Sequence, residues 1–351
     1  MDSSAVPGID QVRLERWMDA NGIGKGPITS LTQLAGGTQN IIAKFERSGA
    51  PFVLRRPSVT PRAKANEVMA REARVLAALA GTNVPHPRFV AVCDDPDVLG
   101  ATFYLMEAVD GFNAVTGLPE LHRSRPQIRR EMGFAMVDAA AELGSLDHEA
   151  LGLGDFGKPE NYLSRQAGRW MSQLESYTKH EGWPGGEGLG DVHTLADYLS
   201  ANLPPDFKPG IMHGDYAIGN VMFRNDGPQL AAVIDWELST IGDPLVDLAW
   251  VICTWRDPAW RDLPVLVVEP WEGFPAIDEM IQRYADRSQR DLSHIDWYIV
   301  LACFKLAIIL EGTYARAFSG AAPKAIGKTL HETSVTLIER AHARLNRTVW
   351  Q

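Results

Sequence analysis

The sequence predicts an α+β protein of two lobes, a small antiparallel sheet followed by a larger helical part. Three observations carry this. Strand-like apolar runs crowd into the first 110 residues, helical periodicity governs almost everything beyond them, and 351 residues exceed a typical single domain. The N-terminal lobe is therefore placed at 1–110 and the C-terminal lobe at 111–351.

In the first lobe, Ile9 to Ala20 reads as a short amphipathic helix, apolar at Ile9, Val12, Leu14, Trp17 and Met18. Three strands follow, Ile28 to Leu34, Ile41 to Phe45 and Pro51 to Arg55. The first two are joined by Ala35-Gly36-Gly37-Thr38-Gln39-Asn40, either a plain hairpin or a turn whose N–H groups approach phosphates. Side chains alternate along Phe52-Val53-Leu54-Arg55-Arg56, so Val53 and Arg55 share one face. Arg55 is open to two readings, a phosphate-holding guanidinium or a solvated strand end. Arg62 to Ala80 is a helix, with Pro61 at its start and Gly81 at its end. Its apolar face holds Val68, Val75, Leu76 and Leu79, with Glu72 in the middle. A carboxylate there needs a cation, and Arg55 is the candidate. Phe89 to Cys93 and Ala101 to Met106 complete five strands, and Glu107 to Gly111 leaves the sheet.

Beyond residue 110, helices are predicted over Pro126 to Leu146, Glu160 to Tyr177, Val192 to Asn202, Pro244 to Trp255, Ala276 to Arg287, His294 to Phe318 and Ala325 to Arg347. Gly182 to Gly190 is a flexible connection.

The net charge of −10 excludes the basic footprint of a nucleic-acid binder. The first 110 residues carry 12 acidic and 12 basic side chains, so the acid excess lies in the second part. That excess suits solubility or an amine-bearing substrate. Cys93, Cys253 and Cys303 match neither a metal spacing nor a disulfide framework. The first ten residues lack the basic region and apolar core of a signal peptide, and Trp297 to Leu310 is too short to span a bilayer. The expectation is a cytoplasmic protein with no membrane and no nucleic-acid partner.

The chemistry concentrates between Gly210 and Trp250. His213-Gly214-Asp215 is followed five positions after the Asp by Asn220, and a turn at Asn225-Asp226-Gly227 leads to the run Leu230 to Ile234, which ends on Asp235. An Asp, an Asn and a second Asp suit a hydroxyl nucleophile and a divalent metal.

Here the residues support a family. IMHGDYAIGNVMF, followed by AAVIDWE and GDPLVDLAW, resembles the aminoglycoside phosphotransferases, which have a bilobal protein-kinase-like fold. Phe52 to Pro57, Asn161 to Trp170, Asp235 to Asp247 and Phe304 to Arg316 look most like the branch associated with acyl-CoA dehydrogenases. The resemblance implies ATP and Mg²⁺ as cofactors and a small hydroxylated molecule as acceptor. It makes Asp215 the catalytic carboxylate and Asn220 and Asp235 the metal ligands. It places the nucleotide against Arg55, Glu72, Gly36, Gly37, Thr38 and Asn40, with adenine at the Glu107 to Val109 hinge. Arg55 stands where this fold usually has Lys. His213, Asp243 and Asp247 are read as scaffolding, and Glu237 as either near the metal or facing solvent. Lys305 and Arg316 are either partners for an anionic substrate or packed and surface groups. Tyr216-Ala217-Ile218-Gly219 carries no cation, so charge compensation must come from elsewhere.

Only eleven residues separate Asp235 from Asp247, too few for a segment that docks a polypeptide. The acyl-CoA-dehydrogenase likeness implies a hydroxy acid or hydroxyacyl-CoA acceptor and a functional link to such a dehydrogenase. An aminoglycoside O-phosphotransferase and a nucleotide-binding pseudokinase without turnover are the alternatives.

Overall fold

The structure, a computed structural model, describes residues 6–34, 40–205, 207–258, 260, 262–264 and 266–345. The chain divides into two compact units, one of residues 1–111 with 231–239 and one of 112–230 with 240–351.

The first unit opens with α1 (Gln11–Ala20), capped by the Asp10 carboxylate accepting from Arg13 N–H. Its sheet contains β1 (Thr29–Gln33), β2 (Asn40–Arg47), β3 (Ala50–Pro57), β4 (Phe89–Cys93) and β5 (Phe103–Glu107). The order is β1-β2-β3-β5-β4, antiparallel throughout. Helix α2 (Ala65–Ala78) lies between β3 and β4 in sequence, and the one-turn α3 (Pro96–Leu99) lies between β4 and β5. The core on the α1 side is Leu14, Met18, Phe45, Phe52, Leu54, Phe103 and Leu105, with Trp17 edge-on to Phe103 at 4.9 Å. This agrees with the five strands and one long inserted helix predicted.

The other unit is mainly helical, with α4 (Glu120–Ser124), α5 (Pro126–Ser145), α6 (Gln166–Glu175), α7 (Val192–Ala201), α8 (Leu245–Thr254), α9 (Ile277–Arg287), α10 (Ile295–Phe318) and α11 (Lys324–Leu345). Short strands β6 (Gly210–Met212), β7 (Val221–Phe223) and β9 (Thr240–Gly242) belong to this unit, while β8 (Leu230–Val233) falls mostly in the segment assigned to the first. Strand β6 pairs antiparallel with β9, which the sequence reading missed because each offers only three residues of pattern. The helix predicted from Glu160 begins only at Gln166. Asn161 is left-handed at φ 55°, and Tyr162 N–H bonds the Pro159 carbonyl at 3.0 Å, so a turn takes the first six positions. No helix among the described residues is long and apolar enough to cross a membrane.

Gly157 shows how closely the backbone packs near β9. A Cβ there would lie 2.5 Å from the Ile241 nitrogen.

Candidate active site

The catalytic-loop candidate follows β6. Two backbone donors anchor it: His213 N–H and Gly214 N–H donate to the two Asp247 carboxylate oxygens at 2.6 and 2.9 Å. Asp247 lies in the first turn of α8 and is fully enclosed. Burial pushes its carboxyl up, against the pull of His213 and those two N–H donors. Gly214 adopts φ 85°, a left-handed turn that an L side chain would strain. His213 Nδ1 accepts from Asp215 N–H at 3.3 Å, and Tyr216 donates its hydroxyl to the Met136 carbonyl at 2.8 Å. The scaffolding roles read for His213 and Asp247 match these contacts.

The Asp215 carboxylate, half-buried, is held from both sides. Trp250 Nε1–H donates to its Oδ1 at 2.8 Å, and Asn220 Nδ2 donates to its Oδ2 at 2.8 Å. The Asn220 amide also reaches the Asp215 carbonyl at 2.9 Å. With its NH₂ committed to Asp215, the Asn220 carbonyl oxygen is the end that suits a hard cation. Asn113 Nδ2 bonds the Gly219 and Val221 carbonyls at 2.6 and 3.2 Å, fixing the far side of the loop.

Lys305 of α10 reaches the same loop. Its Nζ donates to the Gly214 carbonyl at 3.3 Å and stands 4.2 Å from the centre of the Trp250 ring, with Trp170 at 5.7 Å. Arg169 covers the Trp170 ring at 5.3 Å. Burial pulls the Lys305 ammonium below the ordinary lysine value, and the Asp215 and Asp247 carboxylates pull it back. Arg316 does not join it: it lies exposed near the end of α10 and bonds Thr313 at 2.7 Å. Asp243 accepts from Leu245 N–H at 3.1 Å and from the Tyr298 hydroxyl at 2.5 Å, supporting the start of α8 one residue later than predicted.

In the first unit, Arg55 and Glu72 form the expected pair, Nη2 to Oε1 at 3.0 Å. The same nitrogen meets Asp235 Oδ1 at 2.6 Å and Glu237 Oε2 at 3.4 Å. Glu72 is wholly enclosed and Arg55 nearly so, which overturns the solvated-strand-end reading of Arg55. Tyr104, the cross-strand partner of Arg55, donates its hydroxyl to Glu72 Oε2 at 3.1 Å, a contact not foreseen. Burial pushes the Glu72 carboxyl up to about 7, with Asp235 and Glu237 adding to the rise and Arg55 opposing it. Asn40 Nδ2 donates to Glu237 at 3.3 Å, so Glu237 belongs to this cluster. Asp235 itself is left-handed at φ 68°, a strained position for a non-glycine residue.

The ligand oxygens of Glu72, Asp235 and Glu237 lie within 4.8 Å of one another. Carboxylate oxygens of partly exposed Asp235 and Glu237 fit a hard divalent ion such as Mg²⁺. Glu107 ends β5 and its side chain pairs with Arg88, while Glu107 N–H bonds the Arg88 carbonyl at 2.9 Å and Ala108 N–H the Pro51 carbonyl at 3.1 Å. Val109 follows in the chain leaving the sheet. Gly36, Gly37 and Thr38 lie outside the described residues.

The sequence did not single out Trp250, and it left the partner of Lys305 open. Trp250 sits three positions after Asp247 on α8, so both project toward one side of the helix. Lys305 is a cation inside an apolar run, a position that asks for a partner.

A helical unit with a braced Asp215 and Asn220, and a sheet unit with an Arg55–Glu72 pair beside Asp235, define a kinase-like phosphotransferase. The model of the Phosphotransferase enzyme family matches residues 30–286, and the chain belongs to that family. It is a small-molecule kinase of this fold. A candidate aminoglycoside phosphotransferase from Ralstonia eutropha is similar at 30% identity and a TM-score of 0.77, over 97% of this chain and 99% of that one. Aminoglycoside phosphotransferase APH(4)-Ia, solved with ADP and hygromycin B, shares the fold at 14% identity and a TM-score of 0.58, over 95% and 99% of the two chains.

Among curated relatives, acyl-CoA dehydrogenase family member 10 of mouse is 29% identical over 90% of this chain and 29% of its own length. Family member 11 of chicken is 31% identical over 89% of this chain and 40% of its own. The chain thus spans well under half of these relatives.

Proposed function

We propose that the chain transfers the γ-phosphoryl group of ATP to a hydroxyl of a small anionic acceptor, a hydroxy acid or a hydroxyacyl-CoA. Asp215 orients the acceptor hydroxyl and takes its proton as the new O–P bond forms and the bond to ADP breaks. Trp250 and Asn220 hold the Asp215 carboxylate so that its remaining lone pairs face the acceptor. Arg55 binds nucleotide phosphate, kept in place by Glu72, with Tyr104 behind it. Gly36, Gly37, Thr38, Asn40 and the Glu107 to Val109 segment receive the rest of the nucleotide. Asn220 and Asp235 would hold Mg²⁺, which supplies charge neutralisation at the phosphates when bound.

The observation that carries the acceptor class is the cationic, aromatic surroundings of Asp215. Lys305, Trp250 and Trp170, with Arg169 over Trp170, gather on that side. Such a wall repels a polycationic sugar and attracts a carboxylate or a CoA phosphate. The acyl-CoA dehydrogenase names of the curated relatives support the same class and a functional link to such an enzyme.

The test is ADP release with Mg²⁺ and ATP over a panel of 4-hydroxy acids, their CoA esters and kanamycin-type sugars. The expected result is turnover with the acids or esters, lost in Asp215→Ala. Phosphorylation of kanamycin alone would select the aminoglycoside reading. No release above the Asp215→Ala background with any acceptor would select the pseudokinase reading.

A further inference from the structure

A carboxylate that takes a proton beside an incoming triphosphate faces a crowd of negative charge, and the loop carrying it offers no compensating cation. Tyr216-Ala217-Ile218-Gly219 is uncharged. An ammonium reaches this loop from α10, ninety residues after Asp215. Lys305 Nζ lies 3.3 Å from the Gly214 carbonyl, one residue before Asp215, and 4.2 Å from the centre of the Trp250 ring. The same indole donates its Nε1–H to Asp215 Oδ1 at 2.8 Å.

This order of contacts has a physical consequence. An ammonium on the face of an indole draws on its π electrons and leaves the ring N–H more positive, so the hydrogen bond to the carboxylate strengthens. Low local dielectric makes both interactions count for more than they would in water. Lys305 is half-buried and its ammonium is held below the ordinary lysine value by desolvation, so the chain retains a group that burial disfavours. A packing residue at this point of α10, among Phe304, Leu306 and Ala307, would serve better as Leu or Met.

We propose that Lys305 is a positioning residue for phosphoryl transfer, acting through the Trp250 indole to orient Asp215 and to offset the negative charge at it. The proposal rests on the reading of Asp215 as the proton acceptor. Lys305 on one face of the indole and Asp215 at its edge form one unit, assembled from α8, α10 and the loop after β6. The energetic signature of such a unit is non-additivity: losing either the cation or the N–H donor removes the same effect.

The experiment has one arm without turnover and one with it. The Trp250 Nε1–H signal is identified in ¹H–¹⁵N spectra of the intact chain by its loss in Trp250→Phe. It should move upfield in Asp215→Asn and also in Lys305→Met, and stay near its wild-type place in the charge-keeping Lys305→Arg. Lys305→Gln gives a second neutral variant should Met not be accommodated. With whichever acceptor the panel identifies, Lys305→Met should lower kcat about 10- to 100-fold, with KM for ATP within about twofold and no fall in Tm. The double variant Lys305→Met, Trp250→Phe should lose no more than about twofold beyond the worse single one. An unmoved indole signal in both neutral variants overturns the proposal, as does a lowered Tm with unchanged kcat. A signal that moves while no acceptor is turned over by the wild type leaves Lys305 coupled to Asp215 and removes the kinase reading instead.

Discussion

Glu72 is the residue whose environment makes the sharpest demand. It is enclosed, pushed up to about 7 by burial and by the Asp235 and Glu237 carboxylates, and paired with Arg55 at 3.0 Å. Below its ordinary value of 4.5 it is protonated whether the chain is folded or not. Between there and about 7 the folded chain holds the proton more tightly, so stability is lost as pH rises through that window. Thermal melts of the metal-free protein should show this fall, and Glu72→Gln should flatten it; equal slopes in both would refute the assignment. The same substitution should weaken nucleotide use, seen as a raised KM for ATP. Removing the cation is costlier. Arg55→Met should destabilise by about 2–4 kcal/mol at neutral pH, measured by urea unfolding, because it leaves a buried carboxylate unpaired.

At the scale of elements, α8 organises the loop that bears Asp215. Asp247 accepts from two loop N–H groups and Trp250, one turn on, holds the Asp215 carboxylate. Asp247→Asn replaces a charged acceptor for both N–H groups and should cost about 1.5–3 kcal/mol in urea unfolding. Gly157→Ala should be destabilising by about 1–3 kcal/mol, since the added methyl meets the Ile241 backbone. The Arg55–Glu72 pair was legible in the sequence because one carboxylate interrupts a regular apolar face and one strand offers a cation nearby. Strands β6 and β9 were not, since three residues give no period to read. The late start of α6 was hidden because Asn161 fits either a helix or a left-handed turn, and only the tertiary setting chooses. Trp250 and Lys305 show the same limit: their helices were predicted, but their meeting depends on how α8 and α10 pack.

At the scale of the whole molecule, the chain has the fold of its family, and nucleotide should act on it as a ligand of the folded state. Mg·ADP at about 100 times its Kd should add about 2.7 kcal/mol of stability. Melting curves with and without Mg·ADP should show the shift in the wild type and a smaller one in Arg55→Met. The curated relatives carry this region within much longer chains, of which it covers 29–40%. The proposed acceptor, with a hydroxyl and a negative charge, rests on the cationic surroundings of Asp215. The central claim, phosphoryl transfer to such a hydroxyl through Asp215, is tested most directly by ³¹P NMR of Mg·ATP with a 4-hydroxyacyl-CoA. The account predicts a new phosphate-ester signal growing with ADP in the wild type and absent in Asp215→Asn. The same ester signal growing at the wild-type rate in Asp215→Asn would contradict it.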